Sequence, residues 1–194
     1  TTLTYLGGDT FDRSFDIHYQ ISDESKYLPA FAVGLRDFLG TGLLSSEYFV
    51  ASKSFGPNIK VTGGLGWGRL AGRSSFSNPL SAISDRFDTR TKGANRGGQL
   101  ETGNWFRGPT SAFAGVKWKI NDKTAFFAEY SPDLYKLESL NTGIDISSPI
   151  NLGLEYRFKN GVNLKGVVIG GNEIGAQLSY VINPAKPGNP GGLE

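Results

Sequence analysis

The chain has 194 residues, enough for one compact domain. It contains no cysteine, which excludes disulfides, thiolate metal sites and thiol nucleophiles. Its formal net charge of +2 carries no overall imbalance of the kind that draws nucleic acid.

The 27 glycines and the 12% aromatic content suit repeated hairpins better than a helical core. No run of about 18 apolar residues occurs, so no membrane-crossing helix is expected. That leaves a soluble protein or a spanning barrel. The chain starts in strand-like sequence without an initiator methionine and reads as a mature chain or an excised fragment.

Period-2 alternation predicts ten strands, at 1–7, 15–22, 30–38, 45–55, 59–68, 111–120, 124–131, 149–158, 162–169 and 173–182. Phe15, Ile17, Tyr19 and Ile21 interleave with Asp16, His18, Gln20 and Ser22. Leu152, Leu154, Tyr156 and Phe158 alternate with Gly153, Glu155 and Arg157, and Ile174, Ala176, Leu178 and Tyr180 with Gly175, Gln177 and Ser179. Helical spacing would scatter these apolar residues round a cylinder. Two strands are less tidy, because Phe49 shares its face with Glu47 and Lys53, and Val167 shares its face with Lys165.

Gly56-Pro57-Asn58, Asn121-Asp122-Lys123 and Lys159-Asn160-Gly161 are tight turns. The long connections, 69–110 and 132–148, fall between them at alternate positions. One end of the sheet therefore carries short turns and the other long loops, as in outer-membrane barrels. Gly170-Gly171-Asn172 and the segment 23–29 are exceptions to that rule. Residues 1–183 are expected to form the barrel domain, with 69–110 as a mobile external loop or a constriction folded into the mouth. Residues 184–194, rich in proline and glycine, read as a linker or periplasmic tail.

The expected fold is an all-β, antiparallel, up-and-down transmembrane barrel of about ten strands, with the apolar face turned to lipid. A soluble lipocalin-like barrel, with the apolar face turned inward, is the alternative. Three features favour the membrane. Small and sparsely charged residues share the polar face: Gly34, Gly64, Gly66, Gly115, Gly153 and Gly175 lie beside Asp16, Arg36, Lys117, Glu155 and Arg157. Aromatics such as Tyr5, Phe31, Trp118, Tyr130 and Tyr180 sit near strand ends, as interfacial girdles do. The turn-and-loop asymmetry is the third.

The words FDRSFDIHYQISDESKYLPAFAVGLRDFLGTGLLSSEYFVASKSFG (11–56), VTGGLGWGRL (61–70), NWFRGPTSAFAGVKW (104–118), AEYSPDLY (128–135), SPINLGLEY (148–156) and EIGAQLSYVINP (173–184) resemble the YjbH/GfcD family of exopolysaccharide-associated outer-membrane barrel proteins. The resemblance implies an outer-membrane location in a Gram-negative bacterium and a part in production or export of extracellular polysaccharide. It also implies a larger barrel protein with two related portions, of which this chain looks like most of the first. It brings no catalytic residues.

His18 is the one histidine, with Asp16 two residues earlier on the same face. A general base or a metal site would need further partners that no motif supplies, so a hydrogen-bonded interior histidine is the simpler reading. The run Gly63–Gly68 lacks the lysine and hydroxyl ending of a phosphate loop and reads as a strand with room for bending. Glu129 and Glu155 face inward and raise the question of a glycosidase pair. The expected interior-facing polar set is Asp16, His18, Arg36, Glu47, Lys117, Glu129, Glu155 and Arg157, with no metal, no cofactor and no catalytic residue. Expected partners are outer-membrane lipid, polysaccharide and other export-pathway proteins, not nucleic acid. A structural or assembly barrel with a plugged interior, and a hydrolase using His18, are the competing functions.

Overall fold

The computed structural model describes residues 2–7, 10–39, 42, 44–91, 102–144, 146–158 and 161–180, with 2–14 and 141–142 as backbone only. Eleven strands are present among them: β1 (Thr2–Gly7), β2 (Thr10–Ser14), β3 (Ile17–Ser22), β4 (Ala30–Arg36), β5 (Ser46–Phe55), β6 (Ile59–Gly66), β7 (Ser111–Lys119), β8 (Thr124–Tyr130), β9 (Ile150–Arg157), β10 (Val162–Ile169) and β11 (Glu173–Tyr180). Nine of them, β3 to β11, form one antiparallel sheet in which every strand pairs with its neighbours in sequence. These nine are the nine predicted strands from 15–22 onward.

The first predicted strand differs. β1 pairs with β2, a segment not predicted as a strand, in a separate two-stranded sheet. The main sheet is also open: β3 and β11 are its edges, with no closing ladder between them among the described residues. Of the expected barrel wall of about ten strands, the described residues form a nine-strand open sheet plus a hairpin. The proline- and glycine-rich tail lies outside the described residues.

The turns follow from their residues. Gly56 has φ +65°, and the Asn121 side chain accepts from the Lys123 and Thr124 amides, both at 2.9 Å. Gly170 and Gly171 at the β10–β11 turn both have positive φ, a conformation glycine adopts without steric cost.

The register places the alternating residues on two chemically distinct faces. One carries Ile17, Tyr19, Val33, Phe49, Val61, Trp118, Phe126, Leu152, Leu154, Leu164, Ile174 and Leu178. Most of these side chains are exposed, Ile174 by 87%. Among the described residues only Ala32, Trp67 and Ala125 form a buried apolar set. So the sheet has no conventional core: its apolar side faces outward as a nearly continuous surface, far beyond the isolated exposed apolar residues of ordinary globular proteins.

Among its described residues, the long connection between β6 and β7 holds four short 3-10 turns, at Gly68–Ala71, Pro79–Ala82, Asp85–Phe87 and Thr102–Asn104. Asn78 pins it internally. Its side chain accepts from the Leu80 amide at 3.0 Å and donates to the Phe87 and Phe106 carbonyls at 2.9 and 2.8 Å. The connection between β8 and β9 carries one short helix, α1 (Lys136–Thr142), entered through Tyr135 in the left-handed region. Neither segment has a 3.6-residue apolar period long enough to announce a helix.

The concave polar face as candidate functional site

The other face of the sheet is polar, and its glycines determine its shape. Gly34, Gly64 and Gly153 each lie directly opposite an aromatic residue on the next strand: Tyr48, Phe113 and Phe127. A Cβ added at these glycines would lie 2.1, 2.3 and 1.9 Å from the respective rings. Each ring therefore lies flat over a bare backbone. Stripping side-chain bulk from one face lets the strands bend towards it, and the aromatic covers the gap.

The bend is visible in a cavity of about 570 Å³ lined by residues of six consecutive strands, from His18 on β3 through Arg36, Tyr48, Lys60 and Lys117 to Glu129 on β8. The polar face is the concave one, and the apolar face is convex.

Seven of the eight predicted residues share the parity of this face. Lys117 and Glu155 form an ion pair at 2.6 Å, with Arg157 at 3.8 Å on the other carboxylate oxygen. Arg157 also donates to Asn163 at 3.2 Å. Glu129 accepts from Asn151 at 3.3 Å. The His18 ring meets the Tyr48 hydroxyl at 2.9 Å, and Arg36 stacks over the same tyrosine ring at 5.7 Å. Asp16 does not engage His18; it accepts from the Asp37 amide at 3.0 Å and fixes the corner after β4.

Glu47 departs from the set. It pairs with Leu35 and alternates with Phe49, so it lies on the apolar face. It is 2% exposed there, because the β6–β7 connection wraps over the end of the sheet. Arg90 donates to both of its oxygens, at 2.6 and 3.1 Å, and the Phe106 amide donates at 3.0 Å. Around this pair Phe106 stacks on Phe49 with centroids 5.0 Å apart, and Trp67, 1% exposed, packs edge-on against both. A buried carboxylate is tolerable only when its lone pairs are met in this way. The expectation of an interior-facing Glu47 fails because a loop, not the lumen, supplies the polar partners.

Glu129 and Glu155 do not assemble a hydrolytic pair. Glu129 sits opposite Asn151, and Glu155 lies four residues further along β9. At about 3.3 Å per residue that is roughly 13 Å, whereas paired glycosidase carboxylates stand within about 9.5 Å.

At the long-loop end the cavity is partly roofed. Leu70 sits against Gly66, the Ser111 hydroxyl donates to the Arg73 carbonyl at 2.7 Å, and the Arg73 amide donates to Pro132 at 2.8 Å. Arg69 ties the two connections together through Asp133 and through Glu138 at 2.6 Å. Burial opposes the Arg69 charge, but these two carboxylates outweigh it and hold the guanidinium above its ordinary range. Burial, with the charges of Asp133 and Glu129, likewise pushes the Tyr135 phenol up.

Tyr48, Lys60, Phe113 and Phe127 are concave-face residues that the candidate set missed. Their parity with the glycines of the same strands was the available signal.

The YjbH family model, described as "Exopolysaccharide biosynthesis protein YbjH", matches residues 4–193. The chain is 36% identical over 155 residues to a protein of Escherichia coli (strain K12) named "Uncharacterized lipoprotein YjbH". That match covers 79% of this chain and 22% of the relative, so the chain spans about a fifth of the relative's length. No solved structure matches it. A family match over nearly all of its residues, supported by this relative, makes the chain a member of the YjbH exopolysaccharide biosynthesis family.

Proposed function

We propose that this segment is part of the wall of an outer-membrane β-barrel that takes part in exopolysaccharide production without covalent chemistry. The observation that carries this reading is the inverted burial. The sheet curls around its polar face and leaves a large apolar surface on its convex side. A soluble up-and-down barrel needs the opposite curvature, because its apolar residues must fill the inside. In a bilayer the convex side chains meet acyl chains, and the concave side becomes an aqueous wall.

The open edges belong to the same reading. In hydrocarbon, unpaired strand edges are prohibitive, so β3 and β11 would be completed by strands outside the described residues. The family's description and the relative's designation as a lipoprotein support a glycan-related role in the bacterial envelope. The concave face offers the groups that hydrated glycans use: carboxylates, cations, amides and aromatic rings.

The test is spin-label accessibility in the full-length protein, reconstituted in vesicles, with labels at Leu152 and Leu154 on the convex face and at Gln177 on the concave face. Membrane-soluble oxygen should relax the first two, and a water-soluble nickel chelate the third. The reverse pattern refutes the membrane wall. Loss of exopolysaccharide on deletion of the protein, restored by complementation, tests the pathway assignment.

A second reading, a plugged structural barrel, draws on the roof over the concave face formed by residues 70–73 and 131–133. Steady open currents in planar bilayers would exclude it.

A further inference from the structure

The near-neutral total charge hides a local imbalance. At the short-turn end, a hollow of about 340 Å³ is lined by Lys60, Lys117, Lys119, Lys123 and Arg157, with only Asp122 and Glu155 as acids. Lys119 is paired to Asp122 at 2.9 Å, and Lys117 and Arg157 share Glu155. Both acids are therefore engaged.

Lys60 is directly opposite Lys117 across the β6–β7 ladder. Like charges at directly opposed positions destabilise a sheet. Their neighbours on the same face, Ser52, Ser54 and Thr62, are small and neutral, so no acid on β5 or β6 offsets Lys60 there. A surplus of cations, side by side on adjacent strands of a concave polar wall, matches an extended anion laid along them.

We propose that this end of the concave face binds an anionic saccharide, one bearing carboxylate or phosphate groups, with Lys60, Lys117, Lys119, Lys123 and Arg157 as its counter-charges. This rests on the concave face being the glycan side, as set out above, and adds the charge of the glycan. The saccharide needs no covalent step. Its carboxylates or phosphates would displace water around Lys60 and Lys123, whose ammonium groups have no ion-pair partner among the described residues, and then bridge to Lys117. A lipid headgroup carries the same chemistry, but reaching these residues would require it to enter the concave side.

The experiment uses the full-length protein in phosphatidylcholine vesicles, with oligogalacturonate as the anionic probe and a dextran oligomer of equal length as the neutral one. Oligogalacturonate should bind more tightly than dextran and weaken with salt. Lys60→Gln combined with Lys123→Gln should weaken it about tenfold, whereas Lys60→Arg should retain it. Equal binding of the two oligomers, or no effect of the double variant, overturns the proposal. So does a preference of the unaltered protein for vesicles with phosphatidylglycerol that disappears in the double variant while oligogalacturonate binding stays unchanged, which would make the ligand a lipid headgroup. The Leu152 spin label, read in the same preparation, separates the failures. A lipid-facing label without oligogalacturonate binding removes the anionic site alone, and a water-facing label removes the membrane wall.

Discussion

Gly153→Ala is the sharpest test of how the sheet acquires its curvature. The three nearest atoms to a Cβ at this position all belong to the Phe127 ring, at 1.9 to 2.5 Å, and none is backbone. The substitution must push that ring off β9. Core overpacking costs about 1–3 kcal/mol, and a half-exposed ring that can swing aside lies at the low end, about 1 kcal/mol. The displaced ring also leaves Lys165, whose Nζ lies 4.1 Å from its centroid, a contact of about 0.5–1 kcal/mol at an accessible site. The expected total is about 1.5–2 kcal/mol. In a Phe127→Ala background the obstacle is gone, and Gly153→Ala should become neutral or stabilise slightly, because alanine restricts the unfolded chain. The coupling energy between the two positions should then be about 2 kcal/mol. Urea unfolding of the full-length protein and its three variants in lipid vesicles measures it. Additive effects would show that the glycine serves its own backbone and not the ring, and the account of ring-covered bending would be wrong.

Other outcomes follow from the same contacts. Glu47→Ala leaves Arg90 buried without its partner and should cost about 3–5 kcal/mol, seen as rapid proteolysis within 68–110 while the sheet stays protected. Leu152→Arg should lower the stability of the membrane-inserted protein by about 2–4 kcal/mol, and Gln177→Arg by much less, if the convex side meets lipid; heat-modifiable gel mobility reports both. Glu24 accepts from the Ser54 amide at 2.8 Å and hydroxyl at 2.9 Å, with Lys53 at 3.4 Å, and these hold its carboxyl below the ordinary range. The contribution is intact above the ordinary carboxylate value and is lost as pH falls through the lowered one. Pepsin cleavage at Tyr27–Leu28 should therefore accelerate as pH falls below the ordinary Glu value of about 4.3, beyond the change seen in Glu24→Gln.

The strands were legible because their period is two and their polar face is poor in bulk, so nine of them stand where alternation put them. What alternation cannot supply is the neighbour. That Gly34 lies under Tyr48, or that Lys60 faces Lys117, depends on register, which two isolated strands do not contain. Glu47 departs from its expected face for a related reason. Its parity with Phe49 was plain, but a carboxylate on the apolar side made sense only once Arg90 and Phe106 arrived from residues far along the chain. The segment 10–14 carries no strand signal because its five residues, including Asp12 and Arg13, show little alternation, and their pairing with β1 is a separate hairpin. The short α1 and the 3-10 turns have too few residues to display a helical period.

The order of pairing has a kinetic consequence. Every ladder in the sheet joins consecutive strands, and half of the connections are brief reversals of three or four residues, such as 56–58 and 120–123. The β6–β7 seam must instead gather the whole of 67–110, at an additional loop entropy of about 2 kcal/mol relative to a three-residue turn. The units β5–β6, β7–β8 and β9–β11 should therefore zip early, the β8–β9 seam across 131–149 later, and the β6–β7 seam last, along Ile59–Gly66. Arg90 on Glu47 and Arg69 on Asp133 are then the latches that hold the slowest seam shut.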